Sequence, residues 1–392
     1  MIQGGFLNVL MAIESNESRK MNQLAEIDNQ DMKVDYLLDF AVIGAGIAGL
    51  TAANRFNQQG GKVAVFEKAR GTGGRMSSKR VVSPSHDEHD HFMAFDLGSI
   101  SITAKSEGFA TALDELHQLG IIAPWFKDTN NSIHYVGMPR NSGLTRYLSK
   151  DLECHFSTRV TAIENLEGVW HLFTLENNTK KLLAKAKHVI LATPPAQAYD
   201  LLPYETPLKA KLDTVEVDPQ WVMGLEVDNL LSDLESIHYP QSDIIHSISQ
   251  ESFKPGRDRH NQVLGNEILT MDASTHSRAD VQGSIVLQVQ ATASWTNNHL
   301  ELSGDEVSVL LIKELECILK QILTVKNSYS HRWLYSRISQ GILTQEGYLW
   351  DDKGLALIGD YLSSEFIGIE SAWFSGKQLA DWLTLSLSTP HA

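Results

Sequence analysis

The chain has 392 residues with 33 Lys and Arg against 48 Asp and Glu, a formal charge of -15 that repels a nucleic-acid backbone and an anionic membrane surface alike. Its length exceeds that at which a single core stops growing, and 42% apolar residues suffice for a buried interior, so two domains are expected. The two cysteines, Cys154 and Cys317, suggest neither a disulfide framework nor a thiolate metal centre and fit a reducing, cytoplasmic setting.

Residues 1–35 are rich in Asn, Glu and Ser and lack periodicity, which predicts a loosely ordered leader. The apolar run Gly5 to Ile13 is short and has no basic residues before it, unlike a signal sequence. No run of about 18 uncharged apolar residues follows, so no membrane-spanning helix is expected. From Tyr36 the pattern changes. Ala41 to Ile43 and Lys62 to Phe66 are apolar strand runs, and Gly46 to Phe56 between them reads as a helix, together a βαβ unit and a parallel sheet. The turn into the helix, Gly44-Ala45-Gly46-Ile47-Ala48-Gly49, matches G-x-G-x-x-G in the context that motif requires. Gly44 permits the tight turn, Gly46 lets the backbone approach a pyrophosphate, and Gly49 lets the helix pack on the strand. The helix N-terminus holds the negative charge. Glu67, ending the second strand, is placed to accept ribose hydroxyls and disfavours a 2′-phosphate.

Further on, the stretch Ser83 to His91 contains Asp87-Glu88-His89-Asp90-His91. Adjacent ligands on a flexible loop are not preorganised, so a solvated loop rather than a metal site is expected. A helix at Phe109 to Leu119 and an aromatic turn around Trp125 follow, then strands at Cys154 to Ile163, Val169 to Leu175 and His188 to Ala192, the last stopped by Pro194-Pro195. The region Gln197 to Leu334 alternates strand-like runs such as Ile285 to Ala291 with a helix at Glu306 to Ile322 and reads as a separate substrate domain. A strand at Ala356 to Ile358 and a helical stripe (Ile369, Ala372, Trp373, Gly376, Leu379, Ala380, Leu383) close the chain on a βα unit.

Glu67-Lys68 followed by Gly73-Gly74-Arg75-Met76 resembles the extended FAD signature of the amine oxidase superfamily. Val189 to Pro195 resembles that superfamily's A-T-P strand end, and Leu357-Ile358-Gly359-Asp360 its C-terminal G-D motif. The resemblance implies an α/β fold: a Rossmann-like FAD-binding domain of glutathione-reductase type (36–98, 150–200, 336–392) and a second α+β substrate domain (99–149, 201–335), as in p-hydroxybenzoate hydroxylase and amine oxidases. It implies FAD contacts from Gly44, Ala45, Gly46, Ile47, Ala48, Gly49, Glu67, Lys68, Gly74, Gly98, Val160, Thr193 and Gly359. Arg75 is expected against the phosphates and ribityl chain, Asp360 on the ribityl hydroxyls, and the helix opening with Gly368, Ile369 and Ala372 with its positive end at the pyrimidine ring. Neither cysteine lies near the G-D motif, so noncovalent FAD is expected.

A narrower likeness is carried by Asp96-Leu97-Gly98-Ser99, Trp170, Val136 to Leu148, Phe253 to Arg257, Ala293-Ser294-Trp295 and His331 to Tyr335, which resemble the renalase-like branch, particularly bacterial renalases, over about residues 38–383. It implies oxidation of 2- or 6-dihydro isomers of NAD(P) by hydride transfer to flavin, with O2 as final acceptor and H2O2 as product. Such a substrate becomes aromatic on losing hydride, so positioning matters more than an acid or base, and no general base is named. Trp295 and Tyr335 are the candidate faces for the nicotinamide ring and Arg257 the candidate for an amide or phosphate; core aromatics and a surface arginine are the competing reading. Ser99-Ile100-Ser101 departs from the Ala-Gln-Tyr of many renalases. The alternatives are an amine or polyamine oxidase, which needs an aromatic cage or a carboxylate for its cation, and a non-catalytic flavin-binding protein. A desaturase or porphyrinogen oxidase calls for an apolar membrane-docking patch that the composition does not show.

Overall fold

Strand Leu37–Ile43 is buried along nearly its whole length, the continuous apolar run of a sheet covered on both faces. In the computed structural model, which describes residues 36–82, 92–203, 206–228, 234–257, 284–362 and 368–388, it lies at the centre of an eight-stranded sheet. The expected leader, the Asp87 to His91 loop and most of the segment 228–283 fall outside the described residues. Five strands of the sheet run parallel: Leu355–Ile358, Thr179–Leu191, Leu37–Ile43, Val63–Phe66 and Glu153–His155, with Val42 level with Ile190 on one side and Val65 on the other. The βαβ reading therefore holds. Helix Ile47–Gln58 buries Leu50, Ala52, Ala53 and Phe56, and the Phe56 ring stacks on Phe40 at 3.9 Å. Helix Gly368–Ser388 lies against it, tied by Arg55 Nε donating to Asp381 (2.6 Å), a carboxylate that also accepts from Lys377 one turn earlier on its own helix (2.8 Å).

A second, antiparallel sheet carries strands Ile237–His238, Ile245–Gln250, Ser284–Ala291, Glu216–Asp228 and Thr324–Gln340 in that spatial order. Helix Gly304–Leu319 covers one face, with Val307, Leu311 and Leu315 in the same core as Met223, Leu225 and Leu287. This helix starts two residues before the expected Glu306 because Ser303 caps it. The Ser303 hydroxyl accepts from Glu306 N (3.3 Å), and the Glu306 carboxylate accepts from Ser303 N (2.8 Å). It stops at Leu319 because Lys320 adopts a left-handed conformation.

Three local expectations change. Trp125 lies not in a turn but at the irregularity of strand Ile122–Lys127, between Pro124 and Phe126, where pairing with Ile133–Gly137 shifts register. The run Cys154 to Ile163 is broken by Ser157 at positive φ into strands Glu153–His155 and Ala162–Leu166. Pro195, expected only to end a strand, also opens helix Pro195–Leu201, where its missing N–H costs nothing. Within the segment 99–149, expected with the substrate domain, Phe109, Leu113, Ile122, Tyr135 and Leu144 share a core with Phe40, Val42 and Leu50 of the nucleotide-binding unit. Among the described residues no helix is long and apolar enough to cross a membrane.

The contact between the first strand and first helix is set by Gly49, where a Cβ would lie 2.1 Å from Gly44 O and 3.0 Å from Ala192 Cβ. Gly49→Ala forces the helix off the strand, and a loss of about 1–3 kcal/mol in unfolding free energy is expected, read as a lower urea midpoint. An unchanged midpoint would show that the helix has slack at this crossing.

Candidate functional site

At the carboxyl ends of the parallel strands a cleft of about 1080 Å³ opens between the two sheets. Gly44, Gly46, Ile47 and Ala48 line it, and around Gly46 no atom lies within 4 Å of where a Cβ would stand, so the main chain is open to a ligand there. Glu67 and Lys68 border the same end. The Glu67 carboxylate accepts from Ala45 N and Ala69 N, both at 2.8 Å, which aims it across the strand ends. Lys68 donates to Gln197 Oε1 at 2.8 Å, and burial, with the nearby Arg159 guanidinium, lowers its pKa. Val160 reaches the cleft because the Ser157 turn is pinned to the Glu67 region by Ser157 N to Ala69 O (2.8 Å) and Thr158 N to Glu67 O (2.9 Å).

Across the cleft the turn Gly74–Met76 meets the end of strand Leu355–Ile358. Arg75 grips Asp360 with two hydrogen bonds, 2.6 and 2.7 Å, and donates a third to Ser336 O at 3.1 Å. Arg75 and Asp360, expected to work separately, thus form one bidentate pair whose arginine remains partly open to the cleft. Gly74, Thr193, Gly359, Gly368, Ile369 and Ala372 all line the cleft. Ala45, Gly49 and Gly98 do not: Ala45 is fully buried behind Glu67, Gly49 faces the strand, and Gly98 precedes Ser99, whose N–H donates to Arg75 O at 2.9 Å.

The remaining wall is the edge strand Thr324–Gln340, with Arg332, Trp333, Tyr335 and Arg337 bordering the cleft. Its pairing with Glu216–Asp228 slips between Asp218 and Gln220, so that the stretch 334–336 bulges opposite Pro219, which has no N–H to offer. Tyr335 sits on that bulge. Tyr361 also lines the cleft, and its hydroxyl and that of Thr193 are buried without a hydrogen-bond partner among the described residues. Arg337 and Tyr361 were absent from the site expected by sequence, and Trp333 entered it only within the renalase-like run His331 to Tyr335. The alternation of aromatic and cationic residues along 332–337 was the available signal.

Two expected substrate contacts lie elsewhere. Trp295, on helix Ala293–Asn298, packs against the core of the antiparallel sheet and stacks on His299 at 4.1 Å, because the Thr292 cap turns the helix toward that core. Arg257 belongs to a buried charge cluster: it ion-pairs with Asp96, Lys254 Nζ lies 3.2 Å from the same carboxylate, and Lys254 also pairs with Glu251. Burial alone would raise the Asp96 pKa, but Lys254 and Arg257 hold it below the usual carboxylate range. Burial pushes Glu251 up. The cluster anchors the segment leading to Ser99, whose preceding carbonyls accept from the antiparallel sheet: Asp96 O from Gln288, Leu97 O from Trp333 (2.8 Å) and Gly98 O from Gln290 (2.8 Å).

The sequence matches the NAD(P)-binding Rossmann-like domain over residues 42–116 and the flavin containing amine oxidoreductase over residues 83–383. The chain belongs to the flavin containing amine oxidoreductase family. It is a flavin-dependent oxidoreductase. Among solved structures, a putative protoporphyrinogen oxidase from Exiguobacterium sp. is similar with a TM-score of 0.60 and 11% identity over 88% of this chain and 98% of that one. Cyclohexylamine oxidase from Brevibacterium oxydans gives 0.59 and 11% over 90% and 100%, and a redesigned putrescine oxidase 0.54 and 12% over 89% and 99%. At such identities the likeness shows a shared fold. The open main chain at Gly46, the unpartnered Thr193 and Tyr361 hydroxyls and the partly open Arg75 fit a flavin carrying phosphates.

Removing the Asp96 charge leaves two buried cations facing Glu251 alone, so Asp96→Asn is expected to cost about 3–5 kcal/mol of stability. Because the Asp96 pKa is lowered on folding, its contribution is present above the ordinary carboxylate pKa of about 4 and is lost as pH falls through the folded value. Unfolding free energies measured against pH should show a decline on the acid side in the wild type that is shallower in the variant.

Proposed function

We propose that the chain is an FAD-dependent oxidase of the renalase-like branch, taking hydride from 2- or 6-dihydro isomers of NAD(P) with O2 as final acceptor and H2O2 as product. The observation that carries this reading is the charge of the substrate wall. Arg332 and Arg337 border the cleft on either side of Trp333 and Tyr335, Arg332 with its guanidinium bonded to Leu300 O over the Trp221 ring, and among the described residues no carboxylate borders that stretch of the cleft. The acids that do line it are engaged or remote: Asp360 is held by Arg75, Glu67 by two main-chain N–H groups, and Asp200 sits on the helix that carries Gln197, the partner of Lys68. An alkylammonium would meet cations there, whereas a ring bearing phosphates finds aromatic faces and guanidinium donors.

FAD rather than a nicotinamide cofactor is supported by the reach of the lining, from the fingerprint through Arg75 to Asp360 and the first turn of helix Gly368–Ser388. Noncovalent binding is supported by the cysteines. Neither borders the cleft; Cys317 is exposed, and burial pushes the half-buried Cys154 thiol up to about 11. Bound flavin supplies the two-electron acceptor and the route to O2. The protein then has to hold the ring flat, with Tyr335 and Trp333 as walls, and to anchor the phosphates at Arg337. No side chain has to take a proton, because loss of hydride makes the ring aromatic.

The second reading, an amine oxidase, draws on the cyclohexylamine and putrescine oxidases of the same fold and on the aromatic pair Trp333 and Tyr335. Anaerobic mixing with the dihydronicotinamide isomers is expected to bleach the visible flavin band, and heat denaturation to release FAD. Bleaching by cyclohexylamine or putrescine, and not by the isomers, would replace the proposal with the amine oxidase. Bleaching by neither would indicate a flavin-binding protein without turnover.

A further inference from the structure

Glu370 is the third residue of helix Gly368–Ser388 and only 3% exposed. Ile369 and Ala372, on either side of it, line the cleft. Its carboxylate turns the other way: Oε2 accepts from Lys105 N and Oε1 from Ser106 N, both at 2.8 Å. Ser106 is the cap of helix Glu107–Gln118, so one buried carboxylate sits at the positive ends of two helices. The helices are locked beside each other by Phe109 and Trp373, whose rings lie 5.1 Å apart. Among the described residues no Lys or Arg pairs with Glu370, in contrast to Asp360, whose charge is offset by Arg75.

A charge in such a place is weakly screened. Away from water the effective dielectric is far below that of the solvent, and mobile salt does not reach the intervening space. The first turn of the helix would by itself favour added negative charge in the cleft. Glu370 opposes it. We infer that Glu370 is a positioning and tuning residue for the flavin reaction: it fixes the helix end that faces the cleft and lowers the reduction potential of the flavin held there. A lower potential favours passing electrons on to O2, as an oxidase requires. The inference rests on the flavin lying in the cleft as proposed.

The test is the midpoint potential of the flavin-loaded protein, titrated anaerobically against an indicator dye, for the wild type, Glu370→Gln and Glu370→Asp. The Gln variant keeps one of the two acceptor oxygens, for Lys105 N or Ser106 N, and removes the charge, and the equilibrium for two-electron reduction should rise about tenfold, a positive shift of about 30 mV. The Asp variant keeps the charge and should remain near the wild type. A Gln variant with an unshifted potential overturns the inference, as does an Asp variant that shifts as far as Gln, which would mark a structural effect. A Gln variant that no longer retains flavin would show a clamp rather than a tuning charge and would overturn it too. A wild type that binds no flavin sinks the site reading itself and this inference with it.

Discussion

The cleft depends on one helix being pressed against main chain on two sides. Helix Ile47–Gln58 meets the first strand through Gly49, and it meets the last helix through Gly376, where a Cβ would lie 2.3 Å from Ala48 O. With no side chain in either gap, the first turns of the two helices come to the same cleft, where Gly46 and Ile47 lie on one side and Gly368 and Ile369 on the other. Two helix ends converging on one concavity give an anionic ligand more N–H dipoles than either end alone. Tight helix crossing and the meeting of two helix ends at the cleft therefore share a cause, and a side chain at either glycine would spoil both.

The second half of the site is held by a different kind of contact. The antiparallel sheet meets the nucleotide-binding unit through a small apolar cluster, Phe95 and Leu97 against Val286, Tyr329 and Trp333, and beside it through polar groups: the carbonyls of Asp96, Leu97 and Gly98 accept from Gln288, Trp333 and Gln290, and the Asp96 carboxylate draws Lys254 and Arg257 into the interior. Hydrogen bonds to successive carbonyls fix distance and register in a way apolar packing does not. That matters because Trp333, which donates to Leu97 O, also borders the cleft. The antiparallel wall of the cleft is thus positioned from the nucleotide-binding side.

Such contacts explain what was legible in the sequence and what was not. The βαβ unit and the positions of Glu67, Arg75 and Asp360 at the cleft were readable because they follow from local order, a strand, a turn and a helix in fixed succession. Of the three residues expected at the substrate, Tyr335 borders the cleft, and Trp295 and Arg257 lie elsewhere. Arg257 has the composition of a ligand contact, but its partner Asp96 is distant in the chain, and only the fold brings that charge to it. Trp295 was decided by a cap at Thr292 three residues earlier, which sends the ring to the core. Strand irregularities were hidden as well: the register shifts at Trp125 and at Tyr335 depend on a partner strand, so the first read as a turn and the second left no mark.

Charge along the cleft follows the same division. The chain carries a net charge of -15, yet the cleft is lined by Lys68, Arg75, Arg159, Arg332 and Arg337 against Glu67, Asp200 and Asp360. A concavity with this excess of cations in an acidic protein draws in anions while the outer surface repels them, and low-dielectric walls strengthen the contrast. Behind the lining, Glu370 adds a negative charge that a ligand cannot touch. Accessible cations govern what enters and where it rests; a buried anion governs how readily electrons stay once they arrive. Separating the two in space lets affinity for an anionic ligand rise without making the acceptor too strong to give up its electrons.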